Sequence, residues 1–417
     1  MAPVDGTDRH VPVRSLGQGP LRFRGVIMPR GVRFRPLALT VLLAVTLFFN
    51  GYATGQSDAS PREDALTRHA REELASFTEW LRANHAKGYI GEVGWPEGPG
   101  TDGARWNTLA ERWYRDADAA DLWVTAWATG EWWGTGYPLA AYQDRAHEPG
   151  VDTPRSQAQV LERHGTMIRR LRGVNVAGAE FTAPDVNPTS TFSNANGGTH
   201  GRDYHYDGQA TFDYLAARGA KLIRIPFRWE RIAPRLGRRL DQVEVGRLKA
   251  TVARAHRAGL RVILDMHNYG GYYLSEGRKG IRRALGSRHI RLSDFADTWR
   301  RISIHFRHDP AIVGYGLMNE PVDLPRIGTT SPRIVWERAS QAALTAIRAN
   351  GDRKWVMVSS YPWGGVWAFR ASHPNAWIRD PLDRVRYEAH QYFDHNNSGT
   401  YQGSYAEELA IAEARRD

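Results

Sequence analysis

Short apolar runs of strand length alternate with segments of helical period along most of this chain, and the number of runs restricts its fold. The runs are Gly88–Glu92, Leu122–Trp127, Gly173–Ala177, Leu222–Pro226, Arg261–Met266, Ile312–Met318, Trp355–Ser359 and Arg386–Tyr392. Apolar residues at helical spacing predict helices over Ala65–Asn84, Arg105–Asp116, Arg155–His164, Asp207–Arg218, Val243–Ala258, Leu292–Phe306 and Pro332–Ala349. Eight strands interleaved with helices predict an α/β fold of the (β/α)8, or TIM-barrel, type. A chain of 417 residues has room for several ordinary domains, but such barrels routinely occupy roughly 250 residues or more as one unit. With 15 Trp, 17 Tyr and 13 Phe, the chain can fill a large core and still leave aromatic faces for a ligand.

Two of the runs deliver a carboxylate close before Gly or Pro. Glu92 lies in Gly88-Tyr-Ile-Gly-Glu-Val-Gly-Trp-Pro96, and Glu320 in Met318-Asn-Glu-Pro321. Alone, each reads as a solvated loop glutamate or a helix cap. In a parallel barrel, however, strand ends of one polarity share one face, so the two converge. A converging pair of carboxyls is the minimum machinery for cleaving a glycosidic bond.

Other functional classes find little support. The net charge of +11 is spread through the helices rather than gathered in one basic run, which argues against nucleic-acid binding. The absence of cysteine removes disulfides, thiolate metal sites and thiol nucleophiles together. No histidine pair has the zinc-protease spacing, and Gly277-Arg-Lys-Gly280 does not fit a phosphate loop, so neither a metal nor an organic cofactor is expected. Arg30, Arg33 and Arg35 precede the apolar run Leu37–Phe49, a secretory-signal pattern with cleavage expected near Ala53. That run is short for a membrane span, so a secreted product without stable membrane association is expected. Residues 1–56 are thus read as a leader whose start can be Met28, and 57–417 as one barrel domain and a monomer.

Five segments carry a resemblance to a known family: Arg172–Phe181, Ile223–Glu230, Ile263–Tyr269, Tyr315–Pro321 and Tyr387–Phe393. They resemble, in order, segments that lie within the first six strands of glycoside hydrolase family 5, the cellulases, mannanases and related retaining β-glycanases. Trp80–Asn84 with Gly88–Pro96, and Ala126–Trp133, resemble the family's seventh and eighth strands, which here come first. The resemblance therefore implies a circularly permuted barrel, with 65–143 supplying strands seven and eight, 144–170 joining, and 171–417 supplying strands one to six. It implies Glu92 as nucleophile and Glu320 as acid/base. It further implies Asn319 on the sugar 2-hydroxyl, Tyr392 touching the nucleophile, His390 beside the acid/base, His267 on the sugar and Trp127 as a stacking platform. Arg224 near a carboxylate would hold it ionised. Trp229 and Trp363 are weaker candidates for outer subsites. Glu131, beside Trp132, stands where the resemblance leads one to expect a neutral residue and competes as a third carboxylate.

The function so implied is a secreted retaining endo-β-1,4-glucanase acting on β-glucan polysaccharide. A β-mannanase or β-1,3-glucanase on the same barrel, or a barrel that binds carbohydrate without cleaving it, are the competing readings.

Overall fold

The computed structural model describes residues 63–415 apart from 99, 145–149, 166–169, 185–186 and 188–189. The leader and its signal pattern lie outside the described residues. Eight parallel strands close into one barrel: β1 Gly88–Gly94, β2 Trp123–Thr129, β3 Arg172–Val176, β4 Leu222–Phe227, β5 Arg261–Met266, β6 Ile312–Gly316, β7 Trp355–Ser359 and β8 Val385–Tyr392. Their ring order is β1-β8-β7-β6-β5-β4-β3-β2. β1 pairs with β8 on one side and β2 on the other, and β2 pairs with β3, as the sequence reading requires. A ring of consecutive βα units has the same neighbours wherever the chain is cut, so the ring order is neutral on permutation.

The helices that cover the ring form where their apolar positions repeat at helical spacing. Ala65–Ala83 starts at Asp64, whose side chain accepts the Thr67 N–H at 2.8 Å, and it buries Leu74, Phe77 and Trp80. That face packs on the far end of the chain. Trp80 Nε1 donates to the His373 carbonyl at 2.5 Å, and the Trp80 ring lies edge-on to Tyr387, 5.0 Å between centroids. Gln391 joins both early helices, donating to the Ala70 carbonyl at 2.8 Å and accepting Trp113 Nε1 at 2.8 Å. The first hundred residues of the barrel therefore share one apolar cluster with β8 rather than forming a separate domain.

At the amino ends of the strands, the Arg386 guanidinium sits 3.9 Å from the ring centre of Trp123 and 5.0 Å from that of Trp355. This closes the end of the barrel opposite the carboxyl ends of the strands. Outside the ring, Tyr142–Asp144 pairs antiparallel with Val151–Pro154 at the start of the joining segment, a hairpin that the strand-length apolar runs do not reveal. The ladder is only a few residues long, too short to give a readable alternation. A second hairpin, Gly271–Glu276 with Lys279–Ala284, also escaped the sequence reading, because Lys279, Arg282 and Arg283 leave its second strand without an apolar run. The expected helix Arg155–His164 begins only at Ala158. The expected strand Ile312–Met318 ends at Gly316, so Asn319 and Glu320 stand beyond the sheet. Among the described residues, no helix is long and apolar enough to cross a membrane.

The segment joining β2 to β3 is anchored by a buried charge cluster. Asp118 accepts from Arg172 Nη2 at 2.5 Å and contacts His164 Nδ1 at 2.5 Å, with all three side chains at least nine-tenths buried. Removing one partner of such a cluster strands the others in a medium that cannot solvate them. Asp118→Ala is therefore expected to lower unfolding free energy by about 3–5 kcal/mol, measured by denaturant titration. Asp118→Asn, which keeps the shape and one acceptor, should cost less.

Candidate active site

The inward side chains of β1, β4, β5 and β8 converge on one guanidinium. Arg224, on β4, is wholly buried. Its Nη1 donates to Glu92 Oε1 at 2.9 Å and to Asn175 Oδ1 at 2.8 Å, and its Nη2 to Asn319 Oδ1 at 2.7 Å. It also forms ion pairs with Asp265 at 3.0 Å and Glu388 at 3.1 Å. The planar, permanently charged fork can serve several acceptors at once, a task an ammonium would perform less well.

Glu92 lies within β1, next to a register shift against β8 between Ile90 and Glu92. Gly91 occupies the shift, and a Cβ there would come 2.1 Å from Glu388 Oε1, so only glycine lets β8 press its acidic side chain this close. The second oxygen of Glu92 accepts from the Tyr392 hydroxyl at 2.7 Å. Burial pushes the Glu92 carboxyl up, but His390, Arg224, His267 and the Tyr392 hydroxyl overcome that and hold it below the usual carboxylate range.

Glu320 stands beyond β6 with φ of 42°, a left-handed backbone that few non-glycine residues adopt, and its Oε1 contacts His390 Nδ1 at 2.8 Å. Its carboxyl is raised by burial, and the charge of Glu92 adds to the rise against the opposing pull of His390. One donor atom from each of Glu92, Glu320 and His390 lies within 4.8 Å of the others. The two carboxyls thus face each other with opposite proton affinities. Burial works against a charge on His390, but Glu92, Glu320 and Glu388 outweigh it and raise the imidazole to about 10. His390 is therefore a cation between the two glutamates at neutral pH.

The remaining expected residues join the same network. Asn319 Nδ2 lies 3.2 Å from His267 Nε2, so its amide is fixed between His267 and Arg224. His267 Nδ1 contacts Asp265 at 2.9 Å, and the ring stacks on Trp127 at 5.6 Å between centroids. With its nitrogens engaged by Asp265, Asn319 and Tyr269, this imidazole orients Asn319 and backs the Trp127 ring. Trp127 Nε1 donates to the Tyr137 hydroxyl at 2.9 Å, and both rings line an open cleft of about 490 Å³ that exposes Glu92, Glu320 and Tyr392. Trp363 lines the same cleft and is 48 % exposed, as is Trp367 at 49 %. Trp229, by contrast, is wholly buried and donates to Thr298 at 2.9 Å, so it is a core residue and not a subsite.

Glu131 leaves the contest. Its carboxylate accepts from the Gly208 N–H at 2.8 Å and the Thr211 hydroxyl at 2.8 Å, and contacts His205 Nε2 at 2.7 Å. It staples the loop after β2 to the start of the helix Gln209–Ala217 and does not line the cleft. Three groups were missed from sequence: Asn175, Asp265 and Glu388. Glu388 shares the inward face of β8 with His390 and Tyr392 at a spacing of two, and Asp265 stands two residues before His267 on β5, so strict alternation would have found both. Asn175 carries no comparable signal.

The description "Cellulase (glycosyl hydrolase family 5)" matches residues 174–415. Among curated relatives, the manganese dependent endoglucanase Eg5A of Phanerodontia chrysosporium is 29 % identical over 272 residues, covering 63 % of this chain and 61 % of that one. Endo-beta-1,4-glucanase B of Emericella nidulans is 27 % identical over 239 residues, covering 57 % and 64 %. The match thus spans less than two thirds of each relative's length. Of solved structures, Pseudomonas stutzeri endoglucanase Cel5A in complex with cellobiose is 36 % identical, with 55 % of this chain and 62 % of that one covered at a TM-score of 0.45. Since the family description covers more than half of the sequence, including β4 to β8 with Arg224, Asn319, Glu320, His390 and Tyr392, the chain belongs to the cellulase family, glycoside hydrolase family 5.

Proposed function

We propose that this protein is a secreted, monomeric, retaining endo-β-1,4-glucanase in which Glu92 attacks the anomeric carbon and Glu320 donates, then removes, the proton. The observation that carries this reading is the facing pair itself: two carboxyls with ligand atoms within 4.8 Å, one whose proton affinity is held below the usual glutamate range and the other raised above it. Inverting enzymes need a wider gap, about 6.5–9.5 Å, to admit a water between the carboxyls, whereas retaining enzymes hold them at about 5–5.5 Å. In the first step Glu92 bonds to the sugar while Glu320 gives its proton to the departing glycosidic oxygen. In the second, Glu320, now ionised, takes a proton from water as that water displaces Glu92. Asn319, fixed by Arg224 and His267, suits the 2-hydroxyl, and the Trp127 face suits the apolar side of the pyranose.

The relatives named endoglucanases support glucan as the polymer, and the half-exposed Trp363 and Trp367 on the cleft wall suit an extended chain. The family match supports the permuted order. It begins at Val174, within β3, and runs to Arg415, while β1 and β2, which the ring needs, precede it. Secretion rests on the leader pattern alone.

Carboxymethylcellulose should lose viscosity quickly while reducing ends rise slowly, and treatment with EDTA should leave the rate unchanged. Faster turnover of mannan or laminarin would move the substrate, and restoration of an EDTA-treated enzyme by manganese would place a cation in the reaction. Glu92→Ala should abolish hydrolysis, and azide should restore cleavage of an activated aryl β-cellobioside with an inverted glycosyl azide as product. Azide rescue of Glu131→Ala instead would contradict the assignment.

The pH dependence has a defined sign. Glu92 must be ionised and is held low, so the acid limb of kcat/KM should lie below the ordinary glutamate range; Glu320 must be protonated and is held high, so the alkaline limb should lie above it. With a substrate whose leaving group needs no acid, Glu320→Ala should keep the acid limb and lose the alkaline one.

A further inference from the structure

Tyr392 reaches Glu92 from the last barrel strand, and its ring is held in a slot between two glycines. A Cβ on Gly94, two residues after Glu92, would lie 3.2 Å from the ring, and a Cβ on Gly399 would lie 2.8 Å from it on the loop that follows β8. Gly399 has φ of 71°, a conformation that other residues adopt at a cost. The loop itself is organised by one carboxylate. Asp394, 4 % exposed, accepts from the Ser398 hydroxyl at 2.6 Å and from the N–H groups of Gly399 at 3.1 Å, Thr400 at 3.2 Å and Tyr401 at 3.4 Å. The far end of the loop returns to the nucleophile strand, where the Tyr401 hydroxyl donates to the Gly94 carbonyl and accepts the Phe393 N–H at 2.7 Å. Asp394 touches neither glutamate, and nothing in the proton transfers requires it.

We propose that Asp394 is a positioning residue for Glu92: by gathering the Ser398 hydroxyl and the N–H groups of Gly399, Thr400 and Tyr401 it holds Gly399 against the Tyr392 ring, and so keeps the Tyr392 hydroxyl on the Glu92 carboxylate. A neutral amide in its place would accept fewer of those bonds and would turn an N–H toward other N–H groups. The loop would loosen, the slot would widen, and the hydroxyl would leave Glu92 for part of the time. Glu92 would still face Arg224, His267, His390 and Glu320, which the substitution leaves in place. The proposal rests on Glu92 being the nucleophile only where catalysis is the readout.

The test compares Asp394→Asn, Tyr392→Phe, the double variant and the parent chain in two measurements. One is the titration of the Glu92 carboxyl by carbon-13 NMR, assigned with Glu92→Gln; the other is the acid limb of kcat/KM on an aryl β-cellobioside. Asp394→Asn should raise both midpoints by about 1 pH unit, as expected when a hydrogen bond to an ionised carboxylate is lost. kcat should fall about 10-fold, corresponding to about 1.4 kcal/mol. In the double variant the shift should equal that of Tyr392→Phe alone, because both substitutions remove the same bond. A loop that only contributes to stability would lower the melting temperature and leave both midpoints where they were, and additive shifts would show a second route; either result overturns the proposal. Gly399→Ala leaves the Asp394 carboxylate in place and drives a Cβ onto the Tyr392 face, with added backbone strain at φ of 71°, so it should give the same shift, and it carries the test if Asp394→Asn does not fold. Should the parent chain cleave no glycoside, the proposed function fails and the Glu92 titration alone decides.

Discussion

Arg224 is the charge around which the barrel interior is organised. Around it and His390 lie four carboxyls, those of Glu92, Glu320, Asp265 and Glu388, all in contact with one or both cations or with each other. Two cations cannot balance four buried anions, and each uncompensated charge at such depth costs several kcal/mol. The site resolves the imbalance by keeping protons. Asp265 is raised to about 8, chiefly by burial, and Glu320 is raised by burial and by the charge of Glu92. Glu92 and Glu388, the two that contact both Arg224 and His390, are held low and remain ionised. The division of labour between base and acid thus follows from charge neutrality rather than from any property of the glutamates themselves.

The same accounting explains why the proton on Glu320 is available for chemistry while that near Asp265 is not. Glu320 stands beyond the strand end on a left-handed residue and borders the open cleft, whereas Asp265 is sealed behind His267 and Arg224. In the proposed mechanism Glu92 loses its charge on bonding to the sugar, and the repulsion that adds to the rise of the Glu320 carboxyl disappears with it. The proposed acid would thereby become a base in the step where a base is needed.

The ring was legible because strand-length apolar runs and helical spacing survive in the sequence regardless of where the chain is cut. The candidate residues were legible because Glu92, Arg224, His267, Asn319, His390 and Tyr392 sit in segments resembling one family. What stayed hidden has physical reasons. Glu388 and Asp265 are buried acids inside strands, where an apolar side chain is the ordinary expectation and only the geometry of Arg224 justifies them. Trp229 and Trp363 read alike as aromatic residues near strand ends, yet one fills the core and the other faces the cleft, because burial of a single Trp depends on which helix comes to cover it. Glu131 looked like a rival nucleophile since its partners, His205, Gly208 and Thr211, are 74, 77 and 80 residues away and invisible to local reading.

The order of strands also has a consequence for how the site comes into being. Glu92 and Tyr392 are 300 residues apart, and Glu92 and Arg224 are 132 apart, so the nucleophile acquires both of its oxygen partners only when β1 has closed the ring against β8. Contacts of such separation form late, because the entropy of the intervening chain must be lost before they return any stabilisation. Before closure, the segment matched by the family description holds Arg224, Asp265, Glu388 and Glu320 without the strand that brings Glu92. Its excess acids are then fewer and Arg224 has fewer partners. Closure therefore does two things at once: it buries the last open seam of the sheet and brings the carboxylate that Arg224, His390 and Tyr392 are arranged to hold ionised. Folding and the assembly of the acid–base pair are, in this topology, the same event.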